Sequence, residues 1–342
     1  MLEPEVHNFG WHIARSTDEK EKVVDGATIV QISDNPRSQK RVHDEIMTPE
    51  KQKNTAGKVM SPPHKIMKGH NTNNTYPQLF NHLLEGFEWS ENSCAYDSVL
   101  TILFTIWKSD SPQHEAFSGM TSNAAKALKR TFENITDNQE FEQHRDMFRR
   151  ALETIDSQNH KFGEITSVGS LLHHLLATEQ ETTRIQNRCS HNHTERVHSI
   201  SSGHFQPGLE VHRSIQHWVN FPSSYTRRRC RVCGNPFAQI VDHVHLPHII
   251  AFELKNNSTT LDTLLTVKLL TGTVLKYRLA GIVYFGDVHF VARVLRQDGQ
   301  IWFHDGITTC CNLIYEGSIA SAQINLSSAQ SKVAHTGIYC CV

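Results

Sequence analysis

The chain has 342 residues, with 34 Lys and Arg against 35 Asp and Glu, a formal net charge of −1. Its length suits one domain of about 250 residues with a tail, or two small domains, and its neutral balance provides no field to hold a polyanion, so no nucleic-acid partner is expected. No run approaches the roughly 20 apolar residues that cross a bilayer, the first thirty residues lack an apolar leader core, and eight cysteines are too few for a disulfide scaffold. The expectation is an intracellular protein, cytoplasmic or nuclear, with no membrane partner.

Residues 1–78 are polar and aperiodic, a composition that buries too little apolar surface to offset its ordering entropy. They are expected to form a disordered tail. Residues 98–107 are apolar almost all round, which predicts a buried helix. Helical spacing continues through 121–155, with at least one long helix, and through 168–178, where Leu171, Leu172, Leu175 and Leu176 share a face. After about Arg188 the texture turns to strands, at 248–254, 264–270, 277–285, 290–295 and 300–304, with an Asp298-Gly299 turn between the last two. Helices first and strands later predict an α+β domain with segregated layers over 79–342.

Within this frame a lone cysteine stands at the start of the apolar helix, in Asn92-Ser93-Cys94-Ala95-Tyr96-Asp97-Ser98. The first-turn amides and the positive end of the helix dipole favour thiolate over thiol there. Asn92 is placed to offer a side-chain amide to an oxyanion. Most lone cysteines are small core hydrophobes, so a matched base is needed. His289 opens the predicted strand at 290–295, and Asp305 ends the strand after it. An antiparallel meander can bring that carboxylate to the imidazole. Cys94, His289 and Asp305 then form a thiol triad of nucleophile, base and orienter.

These residues resemble a family. The segment around Cys94 resembles the cysteine box of ubiquitin-specific proteases. Residues 277–283 through His289-Phe290-Val291-Ala292 to Trp302-Phe303-His304-Asp305 are similar to its histidine box. Residues 246–254 and 334–339 fall where that family has further strands, and the likeness spans about 83–340. It implies a papain-like fold with a helical thumb (79–185), zinc-bearing β fingers (186–245) and an antiparallel β palm (246–342). It also implies cleavage after the C-terminus of ubiquitin or a ubiquitin-like modifier. Two positions depart from the family: Trp89 stands where it usually has an oxyanion-donating Asn, and Val288 where Gly usually precedes the catalytic histidine.

Cys230-Arg231-Val232-Cys233-Gly234 reads as a zinc knuckle, and Cys189-Ser190-His191-Asn192-His193 supplies another thiolate and either His191 or His193. A structural Zn2+ in a Cys3His site is expected, with a redox Cys-x-x-Cys as its rival. No catalytic cofactor is expected. The functional expectation is a thiol-dependent deubiquitinase. The alternative is a catalytically weak ubiquitin-binding scaffold that keeps the fold.

Overall fold

The computed structural model describes residues 85–109, 114–135, 141–206, 213–220, 224–254, 259–321 and 324–342. The expected tail at 1–78 lies outside them. Helix α1 (Cys94–Ser109) buries 14 of its 16 residues, so the apolar run is a central helix and not a surface one. Around it stand α2 (Glu115–Ser118), α3 (Asn123–Asn134), α4 (Phe141–Ile155) and α5 (Val168–Leu175). The long helical stretch expected at 121–155 is thus two helices. Ser122 caps α3 by accepting from the Ala125 N–H at 3.0 Å, and Ser167 caps α5 by accepting from Ser170 at 3.0 Å.

Two sheets follow. The smaller, antiparallel one has the order β2-β1-β5-β4, from β1 (Thr183–Cys189), β2 (Thr194–Ile200), β4 (Ser224–Arg229) and β5 (Pro236–His243). Its first strand starts five residues before the expected change of texture, because Thr183, Ile185, Asn187 and Cys189 alternate inward. The larger sheet runs β11-β10-β9-β8-β13-β6-β3, with β7 and β12 pairing off this path. Its central members are β6 (Ile249–Glu253), β8 (Val274–Gly286), β9 (His289–Leu295), β10 (Gln300–His304) and β13 (Lys332–Cys341), and the rest are β3 (His204–Phe205), β7 (Leu264–Lys268), β11 (Ile314–Ser318) and β12 (Ser328–Ala329). Helix α6 (Ile215–Asn220) packs beside β7. One pair departs from the antiparallel expectation: β3 runs parallel to β6, so part of the 186–245 segment joins the larger sheet.

The helical layer and the larger sheet meet through α1. Val99, Ile102, Leu103 and Ile106 share one buried cluster with Ala280, Val283, Ala292, Val294 and Ile338. Each large apolar side chain buried here contributes on the order of 2 kcal/mol. Helix and sheet approach closely at Gly281, where an added Cβ would lie 2.6 Å from Ile102. That contact, α1 on β8 and β9, carries the N-terminus of α1 to the N-terminal end of β9. No helix among the described residues is long and apolar enough to cross a membrane.

Candidate active site

Cys94 is the first residue of α1 and is buried. His289 opens β9 directly after a two-residue turn, since Gly286 pairs with His289 across the β8-β9 hairpin. On the far side of β9, His304 pairs with Ala292, and the chain runs on from there to Asp305. The meander thereby delivers the carboxylate to the imidazole: His289 Nε2 lies 2.8 Å from Asp305 Oδ1. His289 also hydrogen-bonds the Cys94 thiol. With Nε2 committed to Asp305, the nitrogen facing Cys94 is Nδ1.

The electrostatics follow from these contacts. The hydrogen bond to Asp305, then the one to Cys94, pushes the His289 imidazole up to about 9 against the opposing effect of burial. Burial by itself raises the Asp305 carboxyl. Hydrogen bonds from His289, the Thr308 hydroxyl (2.8 Å) and the Ile307 N–H (3.0 Å) outweigh it and hold the group well below the usual carboxylate range. Asp305 is only 4% exposed, so water competes little for it. An imidazolium between a carboxylate and a thiol is the arrangement that a thiolate nucleophile needs.

Two loops are stitched together beneath this group. The Trp89 N–H donates to the Gly306 carbonyl at 3.0 Å. A side chain at Gly306 would lie 2.9 Å from Phe87 O and Trp89 N, so glycine lets the Asp305 loop touch the chain leading to Cys94. Asn92 takes a different place from the one expected. Its backbone is left-handed (φ 60°), its side chain is exposed, and its Nδ2 donates to Gly163 O at 2.8 Å. Its carboxamide is therefore tied to the 157–166 loop and is not a free oxyanion donor.

Val288 has a conformational consequence. Asp287 (φ 52°) and Val288 (φ 57°) are both left-handed, the signature of a type I′ turn that favours Asn-Gly. A β-branched residue is an outlier there, and Val288 is 70% exposed, so little packing offsets the strain. Val288→Gly is expected to stabilise the fold by about 1 kcal/mol. The measurement is a raised urea midpoint at unchanged slope. A lowered midpoint would show that the turn is relaxed with valine.

At the tip of the smaller sheet, Cys189, His193, Cys230 and Cys233 converge, with ligand atoms all within 4.8 Å of one another. His193 Nδ1 lies 3.5 Å from both Cys189 Sγ and Cys230 Sγ, and Cys233 Sγ lies 3.5 Å from Cys189 Sγ. Tetrahedral ligands of one zinc ion stand roughly 3.5–3.8 Å apart, given bonds of about 2.1 and 2.3 Å. The donor set and spacing therefore fit a metal ion. The fourth ligand position falls to His193, whereas His191 Nδ1 is paired with Asn235 Nδ2 at 2.9 Å. The Cys230–Cys233 pair occupies the β4-β5 turn, not a helix start, and Gly234 (φ 73°) closes that turn. Burial raises the Cys230 thiol, but the Cys233 and Val232 N–H groups, Cys233 and His193 outweigh it and bring it down to about 6, which suits a thiolate ligand.

A second group, Asp156, His160 and His174, also converges. Its atoms are partnered within the protein: His174 with Asp156 at 2.9 Å, His160 with the Tyr96 hydroxyl at 3.0 Å and with Ser170 at 3.3 Å.

No family model matches the sequence, and no curated protein matches it. Solved structures do share the fold. One is the SAGA DUB module Ubp8/Sgf11/Sus1/Sgf73 bound to monoubiquitin (TM-score 0.52, 11% identity, covering 77% of this chain and 70% of that one). Another is the SAGA Ubp8/Sgf11/Sus1/Sgf73 DUB module bound to ubiquitin aldehyde (TM-score 0.52, 12% identity, the same coverage). At such identity the likeness is one of fold.

Proposed function

We propose that this chain is a thiol-dependent deubiquitinase, hydrolysing the bond after the C-terminal residue of ubiquitin or a ubiquitin-like modifier. The observation that carries the reading is the single imidazole of His289, joined to Asp305 on one side and to Cys94 on the other. The shared fold with ubiquitin-bound structures supports the substrate class. In this reading the helical layer is the thumb, the larger sheet the palm and the smaller sheet the fingers. The tail of the modifier enters between thumb and palm. A zinc ion held by Cys189, His193, Cys230 and Cys233 ties the finger tips together and takes no part in the chemistry. The balanced charge, 34 Lys and Arg against 35 Asp and Glu, supports a partner that is not a polyanion.

The Cys94 thiolate attacks the C-terminal carbonyl carbon, and the carbonyl electrons move to oxygen. As that intermediate collapses, the C–N bond breaks and His289 gives its Nδ1 proton to the leaving amine. Water then attacks the thioester while His289 takes its proton, and the Cys94 thiolate leaves. Asp305 holds the ring in place and stabilises its charge through both steps.

The scaffold reading draws on Trp89 and on the tethered Asn92, which leave the loop without a free amide side chain for the oxyanion. Turnover of ubiquitin carrying a fluorogenic C-terminal amide separates the two. Hydrolysis by the wild type that disappears in Cys94→Ala is expected. Tight binding of ubiquitin with no Cys94-dependent turnover would favour the scaffold.

A further inference from the structure

Arg145 and Arg149 of α4 lie wholly inside the protein, 0% and 1% exposed, and neither belongs to the triad. A buried guanidinium is costly unless its donors are met. Theirs go largely to the short segment that leads into Cys94. Arg145 Nη1 donates to the Glu88 carbonyl and, at 2.9 Å, to Asp97 Oδ1, while its Nη2 reaches Ser90 Oγ at 2.5 Å. Arg149 Nη2 donates to the Glu91 carbonyl at 2.6 Å, and its Nη1 lies 3.5 Å from the Ser90 carbonyl. Asp146 accepts from both arginines, at 2.9 and 3.3 Å. Asp97 closes the network from α1: its Oδ2 accepts from Ser93 Oγ at 2.6 Å, and Ser93 Oγ accepts from the Ser90 N–H at 2.9 Å.

The direction of these bonds matters. In a trans peptide the carbonyl of one residue and the N–H of the next point opposite ways. The Glu88 carbonyl faces Arg145, and on the other side the Trp89 N–H meets Gly306 O beside Asp305. By the same geometry, the Glu91 carbonyl held on Arg149 turns the Asn92 N–H away from α4. Glu91 (φ 46°) and Asn92 (φ 60°) are consecutive left-handed residues, a conformation that persists only where its surroundings over-determine it. The Asn92 side chain is tied to Gly163, and the Trp89, Ser90 and Ser93 N–H groups are spent on Gly306 O, Ser93 Oγ and Ser90 O, so the donors left for an oxyanion beside Cys94 include the main-chain N–H groups of Asn92 and of the first turn of α1.

We propose that Arg145 and Arg149 are positioning residues, which through Asp97 and the loop carbonyls fix the 88–93 segment so that the Asn92 N–H and the Cys94 N–H face the oxyanion. The inference rests on the reading of Cys94 as an acyl-transfer nucleophile. A displacement of about 1 Å in such donors lowers turnover by about 10²-fold, although the arginines never touch substrate.

The test uses the full chain and the variants Arg149→Gln and Arg149→Lys. Three readouts are compared: hydrolysis of a fluorogenic ubiquitin C-terminal amide, Cys94-dependent hydrolysis of a small p-nitrophenyl ester, and alkylation of Cys94 by iodoacetamide. Amide and ester hydrolysis pass through an oxyanion, and alkylation does not. Arg149→Gln is expected to lower kcat on both hydrolysed substrates by about 10–100-fold. The ubiquitin KM should stay within about threefold and the alkylation rate should hold, with Arg149→Lys recovering part of the loss. A parallel fall in alkylation, or unchanged kcat in Arg149→Gln, overturns the proposal. Sensitivity to Arg149→Gln on the ester with no turnover of the ubiquitin amide by the wild type upholds it and overturns the substrate reading alone. No Cys94-dependent ester hydrolysis by the wild type overturns both.

Discussion

His289→Ala is expected to lower kcat/KM on a ubiquitin C-terminal amide by about 10³–10⁴-fold without unfolding the protein, since His289 sits at a strand end and is only partly buried. The loss should fall on kcat, because the imidazole acts in proton transfer and not in holding the modifier. The pH dependence carries the same signature. With its imidazole raised to about 9 by Asp305 and Cys94, His289 stays protonated across neutral pH, so its delivery of a proton to the leaving amine fades only as pH rises past about 9. The linkage sign follows: a group raised on folding contributes stability that is complete below its unfolded value of about 6.5 and is lost as pH rises through about 9. Asp305 works the other way, contributing above about 3.9 and losing that contribution as pH falls through its depressed value. His289→Gln should flatten the stability profile between about pH 6.5 and 9. An unchanged profile in that window would show that His289 is not paired in solution.

Loss of metal should have the largest structural effect. Among the described residues, the buried apolar cluster at the end of the smaller sheet comprises Cys189, Cys230 and Phe237 with Cys233 packed against them, so three of these four are the thiol ligands. Without an ion, the described residues of this cluster leave only Phe237 as an apolar side chain besides the thiols. Apparent binding free energies for structural zinc of about 10–16 kcal/mol in small peptides indicate how much order one ion can support. Protein purified without chelator is expected to carry one zinc per chain. A strong chelator or Cys230→Ser should abolish hydrogen-exchange protection in β1, β2, β4 and β5 while β8 and β9 stay protected. Full protection of the smaller sheet after complete metal removal would rule out a structural role for the ion. His193→Ala should reproduce the loss, and His191→Ala should not, since only His193 lies within the cluster.

Sequence patterns locate parts of this molecule unevenly, for physical reasons. The central helix is legible because residues 98–107 are apolar on every face, and the β8-β9-β10 meander because its strands are rich in β-branched and aromatic residues and its turns carry Asp or Gly. Cys94, His289 and Asp305 are legible as a set from their order and their positions at element ends. Strand β11 is not, because none of Ile314–Ser318 is buried and the strand shows no inward alternation. The two-residue β3 is too short to carry a period. The choice between His191 and His193 depends on how the turn after β1 places each ring, which spacing does not determine. Asn92 reads as an oxyanion donor until its left-handed backbone is seen to turn the amide towards Gly163. Arg145 and Arg149 pass unnoticed for the opposite reason: charged residues on an amphipathic helix read as its solvated face, and burial of both is the exception.

The central claim is that Cys94 is the nucleophile of a ubiquitin-directed hydrolase. Its most direct test is reaction with ubiquitin bearing a C-terminal thiol-reactive warhead, followed by peptide mapping of the adduct. One ubiquitin per chain, attached at Cys94 and absent from Cys94→Ala, is the predicted result. Attachment at any of the other seven cysteines, or labelling that persists in Cys94→Ala, would contradict it.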